Sequence, residues 1–367
     1  MSGAIGGLDG FGGGVGGTLM ADSTAIKQRL DTLLQQAGSG YLADTYAGLG
    51  GGATVSLDLT PQIAAQQAWS SGIDTATAHM QVAQTALKQI SAIASTFYAD
   101  ATALTNGAPA QVDSTAQAAQ QALQQVAGLL NTTDGGAYVF AGQDSGNAPV
   151  PNPGGLLSSG FYTQIQAAVA GLSGSGAPAV LASVLTVAGS NAAGTSPFSA
   201  ALSQPAAAVQ AALPSVATGP GQQAVTGIAA SANAFVASTG SPTTGSYMRD
   251  ILGALATIGS MSSAQASDPN FTPLVQDAQA LLGNAITALN QDAGALGTVQ
   301  SNLAATQTTL AASTTALQTQ LGTAQDANLA QTLSQLTQTQ TQLQASYQLL
   351  SGLSTYSLAK FLTPLSG

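Results

Sequence analysis

Apolar residues recur every seven positions in long stretches at both ends of this chain. After Thr60-Pro61, which reads as an N-cap followed by Pro at the first helical position, two apolar series three residues apart continue for about five heptads. The first series begins at Ile73 and the second at Ala76. This spacing predicts a long helix over 61–105 with a single apolar seam. Asn106-Gly107 and Pro109 interrupt the pattern, and renewed apolar spacing then predicts a returning helix over 111–131.

Helical periodicity returns at about residue 247 and continues in a long segment from Pro273 to about Tyr356. Two Leu series in this segment differ in phase, so we expect a bend or break between Gly322 and Asp326. The candidate residues of the core and assembly seam are Ile73, Met80, Leu87, Ile90, Phe97, Leu104, Leu123, Val126, Leu296, Leu303, Leu310, Leu317, Leu329, Leu336, Leu343, Tyr347 and Leu350.

The start of the chain shows weaker signals. Residues 1–19 form a Gly-rich lead that we expect to be disordered, because Gly loses the most conformational entropy on ordering. A first helix is predicted over about 20–37 from apolar residues at helical spacing. The stretch 46–59 is predicted to be a loop with a short strand over 53–59.

A central region with a different composition separates the two helical ends. Asp134-Gly135-Gly136 predicts a turn, and Tyr138 and Phe140 are candidate strand residues at the domain junction. No charged residue occurs from Ser145 to Met248, and helical patterns are weak there, near 161–172 and 200–213. We therefore predict a helical segment over 20–144, a variable and loosely defined domain over 145–245, and a second helical segment over 246–367 that packs on the first.

The predicted fold class is mainly α, with long N- and C-terminal helices packed as an antiparallel coiled-coil bundle and a small irregular or α+β centre. Neither end can bury a one-sided seam alone, so the economical arrangement packs one end on the other. We expect Leu336, Leu343 and Leu350 to bury against the seam of helix 61–105. The many Ala residues in the seam bury little area each, so such a bundle should gain stability by assembling with neighbours.

The composition excludes several classes of function. The chain has five Lys and Arg, fifteen acidic residues and a net charge of −10, which argues against binding to nucleic acids or anionic membranes. It has no Cys and one His, which excludes thiolate and multi-His zinc sites and most Ser-His-Asp chemistry. No apolar run approaches the roughly 18 residues of a membrane span. We predict no catalytic, metal or cofactor-binding residues and a protein that is not an enzyme.

Four segments resemble the flagellin superfamily. LDTLLQQAGSGYLADTYAGLGGGATVSLDL (30–59) is similar to the family's leading helix and Gly-containing loop, and helix 61–105 follows it. LLNTTDGGAYVFAGQDSGNAPV (129–150) resembles the family's Asn…Gly-x-Tyr-x-Phe-x-Gly segment, and LAQTLSQLTQTQTQLQASYQLLSGLSTYSLAKFL (329–362) resembles its C-terminal helix. The Gly-rich lead and the Gln, Thr and Ala in place of charged residues depart from the family pattern.

The resemblance implies a structural subunit of the bacterial flagellum that is exported unfolded, without a cleaved signal peptide, and acts outside the cell. Segments 129–150 and 329–362 favour the members that join hook to filament; a filament flagellin is the alternative within the family. The implied partners are further copies of the chain, other hook-associated proteins, flagellin and the flagellar export apparatus, with a chaperone left open. An unrelated Ala/Gly-rich secreted helical protein is the alternative outside the family.

Overall fold

The computed structural model describes residues 13–105 and 109–355. Helices dominate this part of the chain, and the remaining regular structure is two short antiparallel hairpins and three 3-10 turns. The helices are α1 (Gly13–Ser39), α2 (Gly52–Leu104), α3 (Pro109–Leu130), α4 (Gly160–Ala170), α5 (Leu172–Ser175), α6 (Ala177–Ala188), α7 (Ala206–Ala211), α8 (Tyr247–Gly259), α9 (Phe271–Gln325) and α10 (Leu329–Thr355). The strands are β1 (Thr133–Asp134), β2 (Ala137–Tyr138), β3 (Ser215–Gly219) and β4 (Gln222–Val225).

The chain divides into two compact units. The terminal unit comprises residues 1–65 and 312–367, and the central unit comprises residues 66–311. The main hydrophobic core extends from Ile73 to Leu310 and therefore lies in the central unit. The prediction of a mainly helical fold, with long terminal helices that pack on each other and a central region that contains two small sheets, is confirmed.

Within the central unit, α2 and α9 run antiparallel with matched residues along their length. Ser91 donates a hydrogen bond to the Asn290 side chain at 3.3 Å, and Gln307 donates to Asp74 farther along. At the other end, the Tyr98 ring lies over Gly283, where a Cβ would come within 3.1 Å of it. The absence of a side chain at Gly283 therefore leaves room for the Tyr98 ring between the two helices.

Helix α8 is the most enclosed element of the central unit. All of its residues are buried, and it packs against α3, α4 and α6. At its C-terminal end, the Gly259 carbonyl accepts hydrogen bonds from Gln120 Nε2 of α3 and from the Tyr162 hydroxyl of α4, both at 2.7 Å. A Cβ at Gly259 would meet Gln120 Cγ at 3.1 Å, so this glycine permits the close approach of α3.

Two predictions near the start of the chain are wrong. Helix α1 already begins at Gly13, inside the expected Gly-rich lead, whose first twelve residues lie outside the described part. Adding a residue to an existing helix gains a hydrogen bond without a new nucleation cost, which offsets the penalty of Gly. Helix α2 begins at Gly52, so the expected loop and strand over 46–59 are largely helical and Pro61 is internal. Ser56 and Ile63, seven residues apart, are both buried and extend the seam beyond Pro61.

The region 145–245 is more regular than the sequence predicts. Helix α6 was missed, although Val180, Val184 and Val187 place a buried stripe on one of its faces. Its N-terminus follows Gly176, whose φ of 77° suits a glycine. The turn at Asp134 to Gly136 is confirmed by the β1–β2 hairpin, in which Asp134 pairs with Ala137. A second antiparallel hairpin, β3–β4, pairs Ser215 with Val225.

One buried carboxylate fixes the segment that leads into α8. Asp292 of α9 is 1 % exposed and accepts hydrogen bonds from three consecutive backbone N–H groups, those of residues 234, 235 and 236, at 3.1, 2.7 and 2.8 Å. The Tyr247 hydroxyl donates a fourth, at 2.9 Å. Burial and the neighbouring Asp292 raise the pKa of Tyr247 well above its ordinary value. A carboxylate that accepts several hydrogen bonds in this way satisfies its buried charge.

Two adjacent charges on α8 anchor the flanking loops. Arg249 donates to the carbonyls of Ser231 at 2.9 Å and Ala188 at 3.1 Å. Asp250 accepts from the hydroxyl groups of Thr243 and Thr244, both at 2.6 Å. Burial raises the pKa of Asp250 and lowers that of Arg249, while these hydrogen bonds and the opposite charge of the neighbour counteract the shift of Asp250.

Substitution of Asp292 should destabilise the central unit. In Asp292→Asn, one carboxylate oxygen is replaced by an NH2 group, which would face donors of residues 234–236 or Tyr247. Since hydrogen bonds to charged groups contribute roughly 1.5–3 kcal/mol each, we expect the free energy of unfolding to fall by about 2–4 kcal/mol. Urea unfolding followed by circular dichroism would measure it.

Asp277→Asn is the matched control, because Asp277 lies on the same helix and is only half-buried. Its free energy of unfolding should change by no more than about 0.5 kcal/mol. Equal urea midpoints for both variants would contradict the anchoring role of Asp292.

The raised pKa of Tyr247 predicts that the folded chain loses stability at high pH. Its pKa is raised in the folded state, so above the ordinary pKa of 10.0 the unfolded chain releases a proton that the folded chain retains. Protonated Tyr247 therefore makes its full contribution to the free energy of unfolding below pH 10. This contribution is lost as the pH rises further, at up to about 1.4 kcal/mol per pH unit. Thermal unfolding between pH 9 and 11 should show a shallower decline for Tyr247→Phe than for the wild type, whereas parallel curves would contradict this assignment.

Candidate assembly surface

The first and last described helices form an antiparallel pair in the terminal unit. Helix α1 packs along α10. The backbone N–H of Ala327 donates to the Gly40 carbonyl at 2.8 Å, and that of Leu42 donates to the Gln325 carbonyl at 2.7 Å. These bonds hold the C-terminal end of α1 beside the N-terminal end of α10. The predicted break between Gly322 and Asp326 is observed directly after Gln325, where α9 ends.

Small polar residues fill much of the seam of this pair. Thr332, Thr339 and Ser346 recur every seven residues on α10 and are buried, and Ser23 is buried on α1. Of the Leu residues near them on α10, Leu336, Leu343 and Leu350 are half-buried, and the others described are exposed. Because small hydroxyl side chains bury little apolar area, the α1–α10 pair has a weak hydrophobic seam. The sequence pattern of Leu residues missed these positions, although their own spacing of seven was visible.

Large apolar side chains are exposed mainly in the terminal unit. Among the described residues of this kind, only Tyr98 and Val225 lie in the central unit. The remainder are Met20, Leu34, Tyr41, Leu42, Tyr46, Val55, Leu57, Leu329, Leu333, Tyr347 and Leu349. Such a concentration of exposed apolar surface is typical of a protein–protein interface. We call this set the terminal apolar surface.

The candidate seam residues of the central unit are buried. They are Ile73, Met80, Leu87, Ile90, Phe97 and Leu104 on α2, Leu123 and Val126 on α3, and Leu296, Leu303 and Leu310 on α9. At the domain junction, Tyr138 lies in β2 and is half-buried, whereas Phe140 is fully buried in the turn that follows, so its prediction as a strand residue is corrected. Because these residues are buried within one chain, they form its core, and their role in contacts between copies stays a prediction.

The candidate seam residues of the terminal unit are more accessible. Leu317, Leu336, Leu343 and Leu350 are half-buried, and Leu329 and Tyr347 are exposed by 49 % and 53 %. The expectation that the α10 Leu residues bury against the α2 seam is corrected, because α10 packs on α1. The α1 sequence contains too few strong apolar positions to show that it is the partner helix.

Other candidate chemistry is sparse in the described residues. His79 Nε2 lies 3.6 Å from the Asp134 carboxylate, and both side chains are about one-third exposed. Over residues 13–105 and 109–355, no cluster of three or more potential metal ligands occurs. No helix in the same ranges is long and apolar enough to cross a membrane.

The fold and this surface define a helical structural subunit whose first and last helices pair and expose apolar side chains. Comparison with known families agrees with this class. The bacterial flagellin N-terminal helical region matches residues 18–145, and the bacterial flagellin C-terminal helical region matches residues 280–362. The two matches together cover more than half of the chain, which belongs to the flagellin superfamily. No curated protein matches the chain significantly.

Membership assigns the general role of the chain. Flagellins are structural, non-enzymatic proteins that self-assemble into the extracellular flagellum. The chain is therefore a flagellar structural subunit. The α1–α10 pair and the terminal apolar surface fall largely within the two matched regions.

Polar substitutions on the outer face of α10 should impair assembly without affecting the isolated fold. Leu333 and Tyr347 are each 53 % exposed, so the double variant Leu333→Gln/Tyr347→Gln should change the free energy of unfolding by no more than about 0.5 kcal/mol. Its flagella should nevertheless be absent or sparse, because the apolar contact with a neighbouring copy is lost. Electron microscopy of the cells and thermal unfolding of the purified chain are the two measurements.

Leu343→Asp is the comparison variant, because Leu343 is half-buried on α10. A charge at this position should both destabilise the α1–α10 pair and abolish motility. Normal motility of either variant would contradict the role of α10 in assembly.

Proposed function

We propose that this chain is the flagellin-type subunit that joins the hook to the filament. The proposal depends on segments 129–150 and 329–362, whose resemblance to the family favours the junction role over that of a filament flagellin. The partners in this role are further copies of the chain, other hook-associated proteins on one side and flagellin on the other. Delivery is through the flagellar export apparatus.

The geometry of segment 129–150 gives its motif a physical role. Asn131 donates from Nδ2 to the Val150 carbonyl at 2.7 Å, and its Oδ1 accepts from the Val150 N–H at 2.9 Å. Between them, Gly136 turns the hairpin with a φ of 87°, and Gly142 has a φ of 63°. These positions favour glycine because left-handed backbone is strained in other residues. Residues 129–150 thus form a closed loop at the end of α3.

Phe140 attaches this loop to the core. It is fully buried, and its carbonyl accepts a hydrogen bond from the Ala230 N–H at 2.9 Å. The Gly-x-Tyr-x-Phe-x-Gly segment therefore connects the end of α3 to residues 229–230 of the central region. This supports a role for the motif in fixing where the central region departs from the helical part of the chain.

Deletion of the gene, with wild-type complementation as the control, tests the proposal. We expect cells that keep hooks, lose filaments and release flagellin monomers, because flagellin cannot attach to a hook without the junction. Electron microscopy and mass spectrometry of the culture medium provide the readouts.

Two results would overturn the proposal. Loss of filaments without abundant flagellin in the medium would identify the chain as the filament subunit itself. Intact, motile flagella would instead favour a secreted helical protein outside the flagellum.

A further inference from the structure

We propose that a groove at the end of α1 binds Arg29 of a second copy of this chain, which makes the contact between copies head-to-tail. The inference rests on the proposed function, in that it requires a subunit that assembles with copies of itself. The groove lies in the terminal unit and has a volume of about 570 Å³. It is lined by Tyr41, Ala43, Asp44, Thr45, Tyr46, Leu49 and Gln325.

The backbone around the groove is held in place by hydrogen bonds. Tyr41 forms an antiparallel bridge with Asp326, and Gln36 Nε2 donates to the Leu42 carbonyl at 2.8 Å. The Asp44 carboxylate accepts a hydrogen bond from Gln35 Nε2. These hydrogen bonds fix the conformation of the loop between α1 and α2 and therefore the shape of the groove.

The lining of the groove fits a guanidinium group. Tyr41 and Tyr46 are each 49 % exposed, and the exposed carboxylate of Asp44 lies between them in sequence. Aromatic faces attract cations, and a carboxylate binds the planar fork of Arg through two parallel hydrogen bonds. The groove contains no basic residue, so it disfavours anions.

The sequence offers one exposed arginine. The chain contains two Arg residues, and Arg249 is buried in the central unit with four hydrogen-bond acceptors. Arg29 is exposed on α1, and no carboxylate of the described residues lies within 4 Å of it. Lys27 is a weaker candidate, because Asp31 follows it by four residues on the same helix face.

Arg29 is poorly placed to fill the groove of its own copy. It precedes Gln35, the partner of Asp44, by six residues, which corresponds to about 9 Å of helix rise and a rotation of about 120° around α1. A second copy that is displaced along the helix axis and also rotated about it removes this offset. Because donor and acceptor surfaces lie at different places on one chain, the contact is heterologous and extends into a ring or a helical array.

Charge exchange tests the contact in cells that lack the native gene. Arg29→Asp and Asp44→Arg should each reduce the fraction of flagellated cells by about tenfold or more, since each brings like charges together at the interface. The double variant Arg29→Asp/Asp44→Arg should recover most of that loss. Lys27→Asp is the matched control and should remain flagellated.

Two results would overturn the proposal by this route. One is normal flagellation of both single variants. The other is a double variant no better than its parents, while thermal unfolding shows that all three purified chains are folded.

Chemical crosslinking gives a second readout, because the natural chain has no cysteine. An extended Arg side chain holds its Cα atom farther from that of Asp than a disulfide can span, so a short bismaleimide is used as the crosslinker. Flagella that contain Arg29→Cys/Asp44→Cys should then yield a ladder of covalent oligomers on a denaturing gel. Lys27→Cys/Asp44→Cys should remain monomeric. Monomer alone from the Arg29→Cys/Asp44→Cys flagella would overturn the contact, and would leave the proposed function standing if the gene deletion still removes filaments.

Discussion

The central unit depends on a small number of buried charges in a chain that has very few charges of any kind. Asp292 on α9 accepts four hydrogen bonds, three of them from consecutive backbone N–H groups, and Arg249 and Asp250 on α8 bind the loops on either side. The bonds of Asp292 and Arg249 join segments 18 to 61 residues apart in the sequence, whereas Asp250 binds the loop directly before α8. The segments that are bound contain mostly Ala, Gly, Ser and Thr. Apolar burial alone specifies such segments poorly, because small side chains fit many arrangements. The hydrogen bonds to the buried charges are directional, so they are satisfied in only one arrangement of these segments.

The terminal unit is built in a different way. Its helix pair buries Thr332, Thr339 and Ser346, while larger Leu and Tyr side chains on α10 stay open to solvent. A seam of this kind gives little stability to one chain and leaves apolar area for a neighbour. The two units therefore differ physically: the central unit holds its shape through internal hydrogen bonds and a buried core, whereas the terminal unit leaves many of its large apolar side chains exposed.

Long elements with a regular repeat could be predicted from the sequence, and short elements stabilised by distant contacts could not. The heptads that begin at Ile73 and Leu296 located α2 and α9, and Gly322 located the break before α10. The beginning of α2 was misplaced because Thr60-Pro61 imitates a helix start, although the buried face continues through Ser56. Helix α6 was missed because its Val residues are interspersed with Ala and Ser in a region without charges.

The candidate assembly surface also depends on contacts between distant parts of the sequence, which could not be predicted from local patterns. The Leu repeat on α10 was visible in the sequence, but the identity of its partner helix was not, because α1 has few strong apolar positions. The groove at Tyr41 and Asp44 depends on a loop conformation fixed by bonds to Gln325, Gln35 and Asp326, which no local pattern indicates. The anchoring role of Asp292 was likewise invisible, since a single Asp within a helical pattern is usually a solvent-facing residue.

The antiparallel pairing of α1 with α10 has a consequence for the order of folding. About 290 residues separate Ser39, where α1 ends, from Leu329, where α10 begins. A contact of such high sequence separation requires a large loop to be closed and forms late. As the chain is synthesised, α1 therefore remains without its partner until α10 has been made. The α1–α10 contact is therefore among the last contacts to form in the terminal unit.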